Sequence, residues 1–207
     1  MSLTSYEKNR IALRARLGGQ GYFKALKAMN FAEGYHTGFR KDGVTPEFSH
    51  QVSIVAHLTT LPAILYPEDT FTVGFLHDVC EDYDVAYSVI AEKFGERVER
   101  AVHALTKEHL GIKRAPAEVA AAQGEDPIAS LVKGCDRVHN HQSMPGVFNE
   151  KKIQSYLEET STYILPMLKV ARRNFPEQQL SYESLKYSLV SQMELLEAAL
   201  SGVIKPA

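Results

Sequence analysis

Apolar residues recur at spacings of three and four through most of this chain, the repeat of amphipathic helices. In residues 4–38, Ile11 and Leu13 and then Tyr22, Phe23, Leu26, Met29 and Phe31 keep that phase. Gly18-Gly19-Gln20-Gly21 divides the stretch into two helices, the second ending near His36-Thr37-Gly38. A polar loop, FRKDGVTPEF, follows over 39–48, and its Asp42-Gly43 and Thr45-Pro46 pairs are turn chemistry. Ser49 reads as the cap of a third helix, SHQVSIVAHLTTLPAIL, with Val52, Val55, Ala56, Leu58 and Leu61 as its inward stripe. Pro67-Glu68-Asp69 opens a fourth that runs on through Asp82. VAYSVIAEKFG and ERVERAVHALTK are two more, the first stopped by Gly95.

The pattern weakens over 107–126, where charges mix with Gly and Pro. A surface loop with a short Ala-rich helix is expected there, the sort of segment that can close over a ligand. Asp126-Pro127 begins the next helix, with Ile128, Leu131, Val132 and Val138 on its core side. Long amphipathic helices follow over 151–173 and 182–200, and Pro166 should kink the first. No strand pattern, internal repeat or low-complexity tract stands out. The expectation is an all-α fold of about eight to ten helices forming one domain over residues 1–207.

Composition narrows the function classes. The 207 residues are 44% hydrophobic, enough for a full core, with a net charge of −2. With neither a basic tail nor a basic amphipathic run, nucleic acid and membrane surfaces are not expected partners, so an anionic substrate would need a local cluster of Lys and Arg. The first residues lack an apolar signal region and no 18 apolar residues run together, which makes the cytoplasm the expected location. Cys80 and Cys135 are too few for a disulfide framework and read as small buried hydrophobes.

The candidate chemistry centres on Phe75-Leu76-His77-Asp78-Val79-Cys80-Glu81-Asp82. On a helix, His77, Asp78, Glu81 and Asp82 share an arc of roughly 140°, opposite Phe75, Leu76, Val79 and Cys80. Crowded carboxylates repel one another, and a divalent cation would remove the conflict. His50 and Asp136 lie on two other predicted helices, and two imidazoles with two carboxylates suit a borderline metal such as Mn, Fe or Zn. A lone His on an apolar-striped helix is more often structural, so His50 depends on its partners. Lys133, Asp136, Arg137 and Asn140 share one helix face, normally a solvated one.

Taken together, His50, His77-Asp78, Glu81-Asp82 and Asp136-Arg137-Val138-His139-Asn140 resemble the HD superfamily of metal-dependent phosphohydrolases. The loop Arg40-Lys41-Asp42-Gly43, the helix end Leu105-Thr106-Lys107 and the pair Glu159-Thr160 narrow the resemblance to the hydrolase domain of RelA/SpoT proteins and small alarmone hydrolases. It covers roughly residues 30–170, with the motifs in the family's order. Three departures stand out: a loop one residue longer between Gly43 and His50, Tyr83 where Thr is frequent, and only loose agreement over 107–126 and from Met144 onward.

The resemblance implies an HD-domain helical bundle that removes the 3′-pyrophosphate of guanosine tetra- or pentaphosphate. It implies Mn²⁺, or another divalent metal, held by His50, His77, Asp78 and Asp136, with Glu81 and Asp82 as the catalytic pair that orients water or manages its proton. Arg40, Lys41, Lys107, Lys133, Arg137 and Asn140 become the candidate substrate contacts, although Arg137 could equally pair with a carboxylate and Asn140 with a helix carbonyl. His57, His139 and His141 receive no role. Competing readings are an HD nucleotidase or phosphodiesterase acting on another nucleotide, and a non-catalytic module that senses nucleotides.

Overall fold

The computed structural model describes residues 4–202. It is all-α: α1 (Ser5–Gly19), α2 (Phe23–Glu33), α3 (Ser49–Leu58), α4 (Pro67–Leu76), α5 (Val79–Tyr83), α6 (Tyr87–Phe94), α7 (Glu96–Leu105), α8 (Pro116–Gly124), α9 (Pro127–Gln142), α10 (Glu150–Glu159), α11 (Leu165–Asn174) and α12 (Gln179–Leu200). The segments exceed the expected number because two helices are each broken in two.

The first break falls inside the loaded stretch. Asp78 relaxes to φ −102°, ψ −8°, so α4 ends at Leu76 and α5 starts afresh at Val79. Asp84, at φ 51°, then stops α5. The second break is a π-helical turn over Thr160–Ile164, between α10 and α11. Pro166 has no N–H to give the carbonyl of Thr162, and the wider turn just before it replaces the simple kink expected there. Ser49 is a further correction. The cap position belongs to Phe48, Ser49 is the first helical residue, and the helix stops at Leu58.

Residues 107–126 are more ordered in pattern than a surface loop. Glu108–His109 and Ile112–Lys113 pair as an antiparallel hairpin, and α8 follows. Leu110 and Gly111 turn it with φ of 50° and 79°, the left-handed geometry of a tight hairpin. Two-residue strands are too short to leave an alternating pattern.

One large hydrophobic core joins α1 to α9, α11 and α12, and a smaller cluster of Met144, Ile153, Leu157 and Leu196 ties α10 to α12. At the centre, α3, α4 and α9 each pack on the other two, with α2 and α7 against α4 and α12 against α9. Two glycines permit this closeness. A Cβ on Gly74 would lie 2.8 Å from Val55 of α3, and one on Gly134 of α9 would lie 2.7 Å from Leu185 of α12. Both cysteines are buried and free. Among the described residues, no helix is long and apolar enough to cross a membrane.

Candidate metal centre and flanking cleft

The three mutually packed helices bring one group of side chains to their common junction. His50 comes from the first turn of α3, His77 and Asp78 from the α4–α5 break, and Asp136 from the middle of α9. One donor atom each from His50, His77 and Asp78 lies within 4.8 Å of the others. Asp136 joins them, its Oδ1 lying 3.2 Å from His50 Nε2, while Asp78 Oδ2 is 3.8 Å from that nitrogen and 2.9 Å from His77 Nε2.

Both imidazoles are held so that Nε2 faces the cluster. His77 Nδ1 donates to the carbonyl of Gly74 at 3.0 Å, and His50 Nδ1 meets His139 Nδ1 at 2.8 Å. His77 Nε2 is buried without a hydrogen-bond partner, because its approach to Asp78 has the wrong direction for one. An orphaned imidazole nitrogen beside two carboxylates is what a metal ligand looks like before the metal is counted. The donor set therefore fits a divalent cation. Burial opposes charge on Asp78, but His77 beside it outweighs this and holds the carboxyl low, at about 2. Asp136 is likewise buried yet held well below the carboxylate range, chiefly by Lys133 and His50.

The face of α9 expected to meet solvent is instead buried. Lys133 donates to Asp136 Oδ2 at 2.7 Å, and Asn140 donates to Asp136 Oδ1 at 2.7 Å. Arg137, 1% exposed, pairs with Glu159 at 2.7 Å and lies over the Tyr156 ring. The pairing alternative for Arg137 is thus the one realised. Lys107 reaches the same Glu159 oxygen at 3.2 Å, and its backbone N–H donates to Glu81 Oε2 at 2.7 Å. Burial raises the Glu159 pKa, but Arg137 and then Lys107 bring it down to about 2. Asp82 keeps contact with solvent; even so, loss of hydration and then the charges of Asp78 and Glu81 push its pKa up to about 6.

Beside the cluster lies a cleft of about 370 Å³, lined by Phe39, Arg40, Lys41, Glu47, Asn140 and Tyr156 among others. Its loop wall is closed by an isolated bridge between Phe39 and Pro46, and by Asp42, whose carboxylate accepts the N–H groups of Val44 and Thr45. Glu47 fastens the loop to the core, accepting from Tyr83 Oη at 3.0 Å and from the Gly38 N–H at 3.3 Å. The Tyr83 hydroxyl also lies 3.2 Å from His36 Nδ1.

The model of the HD domain family matches residues 28–161, a span that contains every one of these groups. The chain belongs to the HD-domain family. It is 31% identical over 146 residues to a protein of Aquifex aeolicus named guanosine-3′,5′-bis(diphosphate) 3′-pyrophosphohydrolase, covering 68% of this chain and 20% of that protein. A Brucella melitensis protein named GTP pyrophosphokinase rsh is also 31% identical, over 68% of this chain and 19% of its own length. A Synechocystis protein named probable guanosine-3′,5′-bis(diphosphate) 3′-pyrophosphohydrolase is 28% identical over 77% and 22%. The chain thus spans about a fifth of the length of these relatives. The narrower resemblance to the RelA/SpoT type is borne out, and HD-domain membership brings divalent-metal dependence with it.

Within this HD domain, the four ligand candidates meet at one junction, and much of what holds them comes from residues to which the sequence alone assigns no part. His139 had no role, and it orients His50. Glu159 was noted as part of a motif without a function, and it joins Arg137 to Lys107. His36 reads from the sequence only as a helix end and Glu47 only as part of the polar loop, because their partners lie on other elements. Arg40, Lys41 and Asn140 line the cleft, Asn140 and Lys133 also hold Asp136, and Arg137 pairs with Glu159.

Proposed function

We propose that the chain is a Mn²⁺-dependent hydrolase that removes the 3′-pyrophosphate of guanosine tetra- or pentaphosphate, giving GDP or GTP and pyrophosphate. The observation that carries this reading is the cluster of two imidazole Nε2 atoms and two carboxylates set beside a cleft with Arg40 and Lys41 on its wall. The name of the Aquifex aeolicus relative, matched over the same part of the chain, supports the substrate class. The chain would act as one domain, in the cytoplasm where such nucleotides are met.

His50, His77, Asp78 and Asp136 would hold the cation. When bound, a divalent cation supplies Lewis-acid polarisation and neutralises charge on the reacting phosphoryl group. In the reaction a water oxygen bonds to the phosphorus on the ribose 3′-oxygen, the P–O3′ bond breaks, and a water proton ends on the departing 3′-oxygen. Glu81 and Asp82 would orient that water and carry the proton, a task suited to Asp82 with its pKa near 6. Arg40 and Lys41 would meet the 5′-phosphates. Asn140 and Lys133 would act through Asp136, Arg137 through Glu159, and Lys107 through Glu81 while adding positive potential.

The test is incubation of metal-stripped protein with guanosine 3′,5′-bispyrophosphate, with and without Mn²⁺, with products resolved by chromatography. GDP and pyrophosphate formed only with metal support the reading. Tight binding without turnover favours a sensor, and orthophosphate release from ordinary nucleotides favours a nucleotidase.

A further inference from the structure

A second cleft, of about 180 Å³, shares no lining residue with the first. Its wall includes Lys107, Arg114, Gln123, Lys133 and Glu159. Two of these residues lead straight to the reaction centre: Lys133 through its bond to Asp136, and Lys107 through its backbone bond to Glu81. The two clefts therefore flank one cluster, with Asn140 lining the first and Lys133 the second, both bonded to the same carboxylate.

The charge of the second cleft is positive. Three cations line it against one carboxylate, Glu159, which Lys107 and, from outside the cleft, Arg137 both meet, while Lys133 pairs with Asp136 and Arg114 with Glu118. Arg114 is anchored by donating from Nη1 to the carbonyls of His103 and Thr106 and from Nε to the exposed Glu118. Its Nη2 makes no hydrogen bond among the described residues. Gln123, 1% exposed, buries its Nε2 with no partner, a desolvated donor that an arriving acceptor would satisfy. Helix α8 also begins at this cleft, at Pro116, with no side-chain cap on its first turn. Two donors at this cleft, Arg114 Nη2 and Gln123 Nε2, thus lack an acceptor among the described residues.

We propose that this second cleft binds a condensed phosphate anion, namely the inorganic pyrophosphate released at the metal cluster, through Arg114 and Gln123 with Lys107. This rests on the 3′-pyrophosphohydrolase reading and deepens it. The nucleoside end of the substrate occupies the cleft of Arg40 and Lys41, and the leaving group exits on the side of Lys133. Arg114 and Gln123 lie in 107–126, between the motifs that carry the family resemblance.

Equilibrium dialysis of the metal-free chain in EDTA against labelled inorganic pyrophosphate tests the proposal without relying on turnover. Saturable binding is expected, weakened at least tenfold by Gln123→Glu and by Arg114→Gln, retained by Arg114→Lys and unaffected by Arg40→Gln. Thermal melts identify any variant that fails to fold, and Gln123→Met, which removes the donor without adding charge, then takes its place. Absence of saturable binding, equal loss in Arg40→Gln, displacement by GDP, or orthophosphate bound as tightly as pyrophosphate would each overturn the assignment. Failure of the hydrolase reading shows separately, as pyrophosphate bound by a protein that does not cleave guanosine 3′,5′-bispyrophosphate.

Discussion

The Nδ1 atoms of His50 and His139 lie 2.8 Å apart, which leaves His50 Nε2 as the nitrogen facing Asp78 and Asp136. For His50 to offer a lone pair at Nε2, its Nδ1 must carry the proton and donate it to His139. Burial pushes the His139 pKa down to about 3, so that ring is neutral and can accept. Replacing His139 with Phe removes the acceptor and should weaken metal affinity roughly 10- to 100-fold. Competition with a fluorescent chelator measures this, and unchanged affinity would remove His139 from the account.

The proposed function gives Asp78 the task of holding metal and Glu81 that of using it. Asp78→Ala should abolish metal binding. Glu81→Gln should retain the metal and lower kcat by roughly 10² to 10⁴, the range for a positioned acid or base. Equal loss of metal in both variants would collapse that division.

Tyr83 fastens the Arg40-Lys41 loop through Glu47. Tyr83→Phe removes that bond, worth about 1 kcal/mol, and should raise KM about fivefold with kcat little changed. A fall in kcat alone would place Tyr83 in the chemistry instead.

Gly74 lets α4 approach α3 closely enough for His77-Asp78 to meet His50. In Gly74→Ala the new methyl would stand 2.8 Å from Val55 Cγ2 and 3.0 Å from Leu58 Cδ1, so these side chains must repack or the helices separate. The expected loss is about 1–3 kcal/mol of stability, with metal affinity reduced as well. Denaturant titration with and without metal checks both, and a stable variant of normal affinity would contradict the packing argument.

His141 is buried against Thr160 Oγ1, and burial followed by the charge of Arg137 lowers its pKa from 6.5 to about 4. The unfolded chain therefore takes up this proton first. Stability from the neutral ring is complete above pH 6.5 and is lost as pH falls toward 4. In metal-free protein, His141→Gln should remove roughly 3 kcal/mol of the acid-induced loss. Parallel stability curves for the two proteins across that window would refute the assignment.

Helical periodicity announces the architecture because most helices turn one apolar side into the core. Helix α9 was harder to read. Its Lys133, Asp136 and Arg137 look like a solvated face, and they are buried because partners on α3 and α10 complete them. The break at His77-Asp78 has no Gly or Pro to announce it, whereas Pro166 announced a distortion without giving its π-helical form. The candidate ligands His50, His77, Asp78 and Asp136 are named by residue type and motif order, and the fold brings them to one junction. The groups behind them, His139, Glu159 and Glu47, are not legible in this way, since each acts on a residue distant in the chain.

The central claim is tested most directly by following guanosine 3′,5′-bispyrophosphate with the metal-stripped protein by phosphorus NMR before and after Mn²⁺ is added at catalytic, substoichiometric concentration. The account predicts no change before metal, and afterwards the growth of one inorganic pyrophosphate signal for each GDP formed. Orthophosphate as the product, or an unchanged spectrum with metal bound, would contradict it.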